Sequence, residues 1–170
     1  MEAVDIYDRN KQKKGYIKYR GKDNLEEGEY ALAARAIIIN SDKKILISRR
    51  TLYKKHGGYW EANGGNALAG ETSKECVIRE VREELGFDLN KYEGILFKET
   101  ISKVAPVFDD IYLYKIDINI NELTPNKEVM DVKWVSIEEY EELNNQNIIL
   151  HYHEFTEEDY YEAIKLLNIY

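Results

Sequence analysis

The chain has 170 residues, 44% hydrophobic and 33% charged, which suits one globular domain with a real core. A net charge of −8 argues against a nucleic-acid polymer as partner, though not against a small phosphate ligand that arrives with its own cation. The single cysteine, Cys76, excludes an internal disulfide or a cysteine metal cluster. No apolar run approaches transmembrane length and Met-Glu-Ala-Val-Asp does not read as a secretory leader, so the expectation is a cytoplasmic protein with no membrane partner.

Val4–Tyr7 and Tyr16–Tyr19 read as short strands around the basic turn Asp8–Gly15. The apolar run Leu32–Asn40 is separated by Ser41-Asp42-Lys43-Lys44 from Ile45–Ser48, the pattern of a hairpin with a buried first strand. The loop Thr51–Gly58 leads to a strand at Tyr59–Ala62, and Gly64-Gly65 then signals a turn. Thr72 followed three residues later by Glu75 is a capping-box pattern, and Gly86 falls where a helix end favours a left-handed residue. The spacing therefore predicts a helix from about Ser73 to Leu85, with Val77, Ile78, Val81 and Leu85 on its core face. Cys76 falls on the acidic side of that helix, as a partly exposed or small helix-filling residue. Strands are expected at Ile95–Thr100, Ile111–Ile116 and Val129–Val135. Ser136 opens a helix to about Leu143, and Thr156 opens a last one with Tyr160, Ala163, Ile164 and Leu167 on one face. This order gives a mixed sheet flanked by helices, an α/β (α+β) sandwich.

The chemistry concentrates in the Ser73–Leu85 helix. Glu80, Glu83 and Glu84 are three and four positions apart, and like charges at such spacings each cost about 0.2–0.5 kcal/mol in an isolated helix. A hard cation among them would remove that cost, and an all-oxygen site suits Mg2+ or Mn2+. A solvated acidic face is the plain alternative. Arg79 lies four residues before Glu83, a spacing that permits an ion pair which orients carboxylates, and the backbone near Gly65 could add a carbonyl oxygen. Before the helix, Arg50, Trp60 and His56 are candidate substrate contacts. Arg49, Arg50, Lys54 and Lys55 form a basic stretch that could meet phosphate oxygens, with solvated strand-end charge as the plain alternative. Tyr53, Trp60, Phe108 and Tyr112 could stack on a base or an apolar tail, with packing as the default for any one aromatic. His151 and His153 would project to one side if extended, which is weak evidence for a metal.

The run Gly65 to Phe87, GNALAGETSKECVIREVREELGF, resembles the Nudix box at every defining position: Gly65, Glu71, Arg79-Glu80, Glu83-Glu84 and Gly86. Asp5-Ile6-Tyr7-Asp8, Glu29-Tyr30, Ser48-Arg49-Arg50 and Trp60-Glu61 extend the likeness to bacterial Nudix hydrolases similar to isopentenyl-diphosphate isomerase. The resemblance implies one Nudix domain over residues 1–170, an α/β/α sandwich with residues 1–28 as an N-terminal β extension and 29–170 as core. It implies metal-dependent hydrolysis of a diphosphate linkage in a nucleoside diphosphate derivative or related organic pyrophosphate. The metal ligands would be Gly65, Glu80, Glu83 and Glu84, and the catalytic set Glu80, Glu83 and Arg79. Glu128, on the loop before the last strand, is the first candidate outside the box for the general base. The partner is a small-molecule diphosphate, and the protein acts as a monomer or a homodimer, the N-terminal extension being one means of pairing. An isomerase-like enzyme and a non-catalytic nucleotide sensor are the alternatives. The loop Trp60–Asn66 has neither the Cys nor the His that the isomerase needs, and an intact box speaks against the sensor. Where many members have Pro before the Gly pair this chain has Asn63, a change expected to alter the substrate pocket without touching the metal site. Ala31 likewise replaces a His common in the subgroup.

Overall fold

The computed structural model describes residues 1–150 and 155–170, so the His151/His153 pair lies outside the described residues. Its strands are β1 (Ala3–Tyr7), β2 (Lys13–Tyr19), β3 (Ala31–Ile39), β4 (Ile45–Arg50), β5 (Trp60–Glu61), β6 (Asn63–Asn66), β7 (Ile95–Ile101), β8 (Val107–Lys115) and β9 (Val129–Val135). Helix α1 (Ser73–Leu85) carries the box acids, and α2 (Ile137–Asn145) and α3 (Glu157–Leu166) follow the last strand. Among the described residues no helix is long and apolar enough to cross a membrane.

The buried strand β3 is the spine of a mixed seven-stranded sheet ordered β5-β4-β3-β8-β7, with β6 also on β3 and β9 also on β4. It runs parallel to β8 from Ala31 opposite Val107 to Ile39 opposite Lys115. Side chains alternate across a strand, and β3 uses both faces. Leu32, Ala34, Ala36 and Ile38 join Val77, Val81 and Leu85 of α1 in one core. Ile37 and Ile39 join Ile111 and Leu113 of β8, with Tyr140 of α2 and Tyr160 and Ala163 of α3, in the other. Helices therefore cover both faces of the sheet, the expected α/β/α sandwich.

The hairpin expected between β3 and β4 is only a shared turn. The strands pair at Ile39 and Ile45 alone. Beyond that point β3 is occupied by β6 on one edge and β8 on the other, so β4 swings away to pair with β5 and β9. The first two strands form a separate antiparallel hairpin folded onto the chain itself. Tyr7 and Tyr30 exchange backbone hydrogen bonds of 2.8 and 2.9 Å, and the Ala69 N–H donates to the Ala3 carbonyl at 2.8 Å. The hairpin thus rests against the loop that leads into α1.

Both ends of α1 are fixed by its own residues. The Thr72 hydroxyl accepts from the Glu75 N–H at 3.2 Å, while the Glu75 carboxylate accepts from the Thr72 N–H at 2.8 Å. Gly86 caps the other end at φ 67°, donating to the Arg82 carbonyl. The buried arc of α1 differs from the expected stripe, because it includes Cys76 and Glu84 while Ile78 is only half-buried. The helix lies against the small residues Ala34 and Ala36, so it sits close to the sheet and draws its acidic flank inward. Cys76 is consequently fully buried rather than partly exposed, and burial pushes its thiol up to about 12.

Candidate active site

Gly64 and Gly65 form no turn. They lie within β6, antiparallel to β3 and opposite Arg35 and Ala34. A Cβ on Gly64 would stand 2.1 Å from the Ala34 carbonyl oxygen, and one on Gly65 would stand 2.5 Å from the Glu80 carboxyl carbon. Glycine at Gly65 is therefore what lets the Glu80 carboxylate lie against this strand.

The carboxylates of α1 are organised by Arg79. Its Nε and Nη2 donate to the two oxygens of Glu71 at 2.6 and 3.0 Å, a bidentate fork. Its Nη1 reaches Glu80 at 2.7 Å and Glu83 at 3.3 Å, and Nη2 also donates to the Asn66 carbonyl at 3.0 Å. One guanidinium thus ties the incoming loop, β6 and two box acids together. The three acids differ sharply in setting: the Glu83 side chain is 57% exposed, Glu80 is half-buried and Glu84 is buried.

Burial raises the Glu80 carboxyl against the opposing pull of Arg79. Glu84 is pushed up to about 7, first by burial and then by the neighbouring charge of Glu61. Its Oε2 accepts from the Asn63 amide at 3.2 Å, and Asn63 in turn exchanges hydrogen bonds with the Ser48 hydroxyl. Asn63 therefore touches a box carboxylate directly, contrary to the expectation that its replacement of Pro spares that site. Among the described residues no three His, Cys, Asp or Glu side chains converge as a preformed metal cage, and Arg79 bonds both Glu80 and Glu83. The donor set is nevertheless all oxygen and includes a buried carboxylate next to a second buried acid, which fits a hard divalent cation.

These acids line a cavity of about 480 Å3, a volume typical of small-molecule sites. Gly64, Gly65, Asn66 and Asn126 join them, with Ala33 and Arg35 of β3 and Val107 and Asp109 of β8. Charge of both signs surrounds it: Arg20, Arg35, Arg50, Lys54 and Lys55 against Glu2, Asp109 and Glu128 as well as the box acids. Of the sequence candidates, Gly65, Glu80, Glu83, Glu84, Glu128 and Arg50 meet here. Arg79 stands behind them as organiser. Trp60 and His56 do not line the cavity. Trp60 is buried in the core beneath α2 and α3, and His56 is exposed on the β4–β5 loop beside Tyr59. No aromatic ring lines the cavity among the described residues: Phe108 packs on Tyr30, Tyr112 bonds Ser73, and the Tyr53 hydroxyl donates to the Lys127 carbonyl.

Three contributions escaped the sequence reading. Glu61 accepts from Arg50 at 2.7 Å inside the protein, and a strand's alternation was its one signal, since Trp60 on the core face sends its neighbour the other way. Lys54 forms an ion pair with Glu128 rather than a solvated strand end. Arg20, from the N-terminal hairpin, reaches the cavity paired with Glu2 at 2.9 Å.

A family model described as the NUDIX domain matches residues 29–155, three quarters of the chain, and the chain belongs to the Nudix hydrolases. It is 33% identical over 155 residues to a Nudix hydrolase of Listeria monocytogenes, covering 89% of this chain and 90% of that one. It is 30% identical over 118 residues to the isopentenyl-diphosphate Delta-isomerase of Escherichia coli, covering 62% of each. In fold it resembles the crystal structure of DR0079 from Deinococcus radiodurans, with a TM-score of 0.74 at 19% identity over 87% of this chain and 91% of that one.

Proposed function

We propose that this chain is a divalent-cation-dependent hydrolase of the diphosphate linkage in a nucleoside diphosphate derivative or a related organic pyrophosphate, acting in the cytoplasm. The observation that carries the reading is the buried Glu84 carboxylate, set beside Glu61 and facing a cavity that Glu80, Glu83 and Gly65 also line. Acids packed this way are unfavourable unless a cation joins them. Glu80, Glu83, Glu84 and the Gly65 carbonyl would hold Mg2+ or Mn2+. The bound ion supplies positive charge to phosphate oxygens and makes an attacking water more acidic.

The rest falls to the protein's own groups. Arg79 holds Glu80 and Glu83 in place through its fork on Glu71. Arg50, kept in position by Glu61 and the Lys55 carbonyl, presents its charge to the substrate side of the cavity. Glu80 and Glu128 are the two carboxylates set to take the proton from the attacking water. The relative named as an isomerase does not redirect this reading, since the loop Trp60–Asn66 contains neither Cys nor His.

The test is product release from a panel of nucleoside diphosphate derivatives with Mg2+, read by mass spectrometry, for the wild type, Glu83→Gln and Glu84→Gln. Loss of turnover in both variants with folding retained supports the reading. Unchanged turnover removes the box from the mechanism.

A further inference from the structure

We propose that Lys54 is a transferable counter-charge of this site: its ammonium balances Glu128 in the free protein and moves onto a phosphate oxygen when the diphosphate and its cation enter. The inference rests on the reading of the box acids as cation holders.

Lys54 and Glu128 form an ion pair, and both line the cavity that contains Glu80 and Glu84. The Lys54 ammonium draws the Glu128 carboxyl below its ordinary value. The backbone of Lys54 is fixed. The Thr51 N–H donates to the Glu128 carbonyl at 3.0 Å, the Lys54 N–H to Thr51 at 3.2 Å and the Gly57 N–H to Lys54 at 2.9 Å. Movement is left to the four-carbon stem of the side chain, which lysine has and arginine's stiffer fork lacks.

The neighbouring cations are less free to transfer. Arg50 and Glu61 are 14% and 9% exposed, and breaking such a pair strands a buried charge. Arg35 is bonded to buried Asp109. Lys54 and Glu128 are 24% and 39% exposed, so water can take over the acid when the ammonium leaves. An incoming divalent cation would repel Lys54 from the acids, and the arriving phosphate would offer it a new anion within the same cavity.

Two opposed binding shifts test this in the full-length chain, by calorimetric titration of Lys54→Met and wild type. With Mn2+ alone, removing the competing charge should tighten binding about three- to tenfold. With imidodiphosphate, a non-hydrolysable diphosphate, in saturating Mn2+, the variant should bind about tenfold more weakly, the low end for a charge-assisted hydrogen bond at a partly exposed group. Loss of both bindings in a variant that circular dichroism shows to be natively folded would overturn the inference. So would no change in either titration, or equal shifts in Lys55→Met, which removes the adjacent cation of the same loop. If the wild type itself takes up no Mn2+, the underlying reading of the box falls with it.

Discussion

Replacing Glu84 by Gln in the cation-free protein should raise stability at about pH 8 and leave it unchanged at about pH 4. The carboxyl titrates at about 7 in the folded chain against an ordinary 4.5, with burial the larger cause and the charge of Glu61 the second. A folded-state value raised in an acid means that the folded protein prefers the protonated form. Its contribution is fully present below about 4.5 and is lost as pH rises through about 7. At about 1.4 kcal/mol for each pH unit between those values, the ionised carboxylate costs about 3 kcal/mol above neutrality. Gln keeps the shape and can still accept from Asn63, so the variant should recover most of that amount. For a domain of this size 1 kcal/mol moves the unfolding midpoint by about 2–4 °C, so the gain is at most about 6–12 °C. Thermal unfolding followed by circular dichroism in EDTA, from about pH 4 to pH 8.5, reads it directly. Mn2+ should stabilise the wild type and not the variant. Equal pH slopes for the two proteins between about pH 4.5 and pH 7 would refute the argument.

Three further outcomes follow from contacts in and around the box. Gly65→Ala places a methyl group 2.5 Å from the Glu80 carboxyl carbon, so Glu80 must swing out, and turnover should fall by about 10–100-fold while denaturant unfolding changes little. Gly86→Ala meets the Thr124 hydroxyl at 1.8 Å in a left-handed backbone, and urea unfolding should report a loss of at least about 2 kcal/mol. Glu128→Gln should lower kcat by about 10²–10⁴-fold if that carboxylate accepts the water's proton, and a change below about threefold assigns the proton to Glu80.

What the sequence could reveal depended on how local the determinant was. The bounds of α1 were readable because Thr72, Glu75 and Gly86 act within a turn of themselves. The β9 strand and the Ser136 cap were readable for the same reason. The β3–β4 hairpin was legible only as far as its turn, because β6, some thirty residues further on, takes the β3 edge beyond Ile39. The site shows the same division. Glu80, Glu83, Glu84 and Arg79 are spaced on one helix, so their proximity is written in the helical period. Lys54 and Asn63 reach Glu128 and Glu84 across the fold, and no local pattern announces either contact. Which of its two expected roles Cys76 takes, partly exposed or small and helix-filling, was not legible, because the depth to which α1 sinks is set by Ala34 and Ala36 on a different element.

The N-terminal hairpin has a consequence for how this protein can be cut down. Ile6 and Tyr7 are buried, Ala3 accepts the Ala69 N–H, and the Asp5 carboxylate accepts the Gly70 N–H at 2.8 Å. A chain trimmed to begin at Glu29, where the family match starts, would uncover apolar surface and unfasten the approach to the acidic helix in one step. Such a fragment is expected to aggregate, so the family-matched stretch is not a self-sufficient unit for expression or crystallisation.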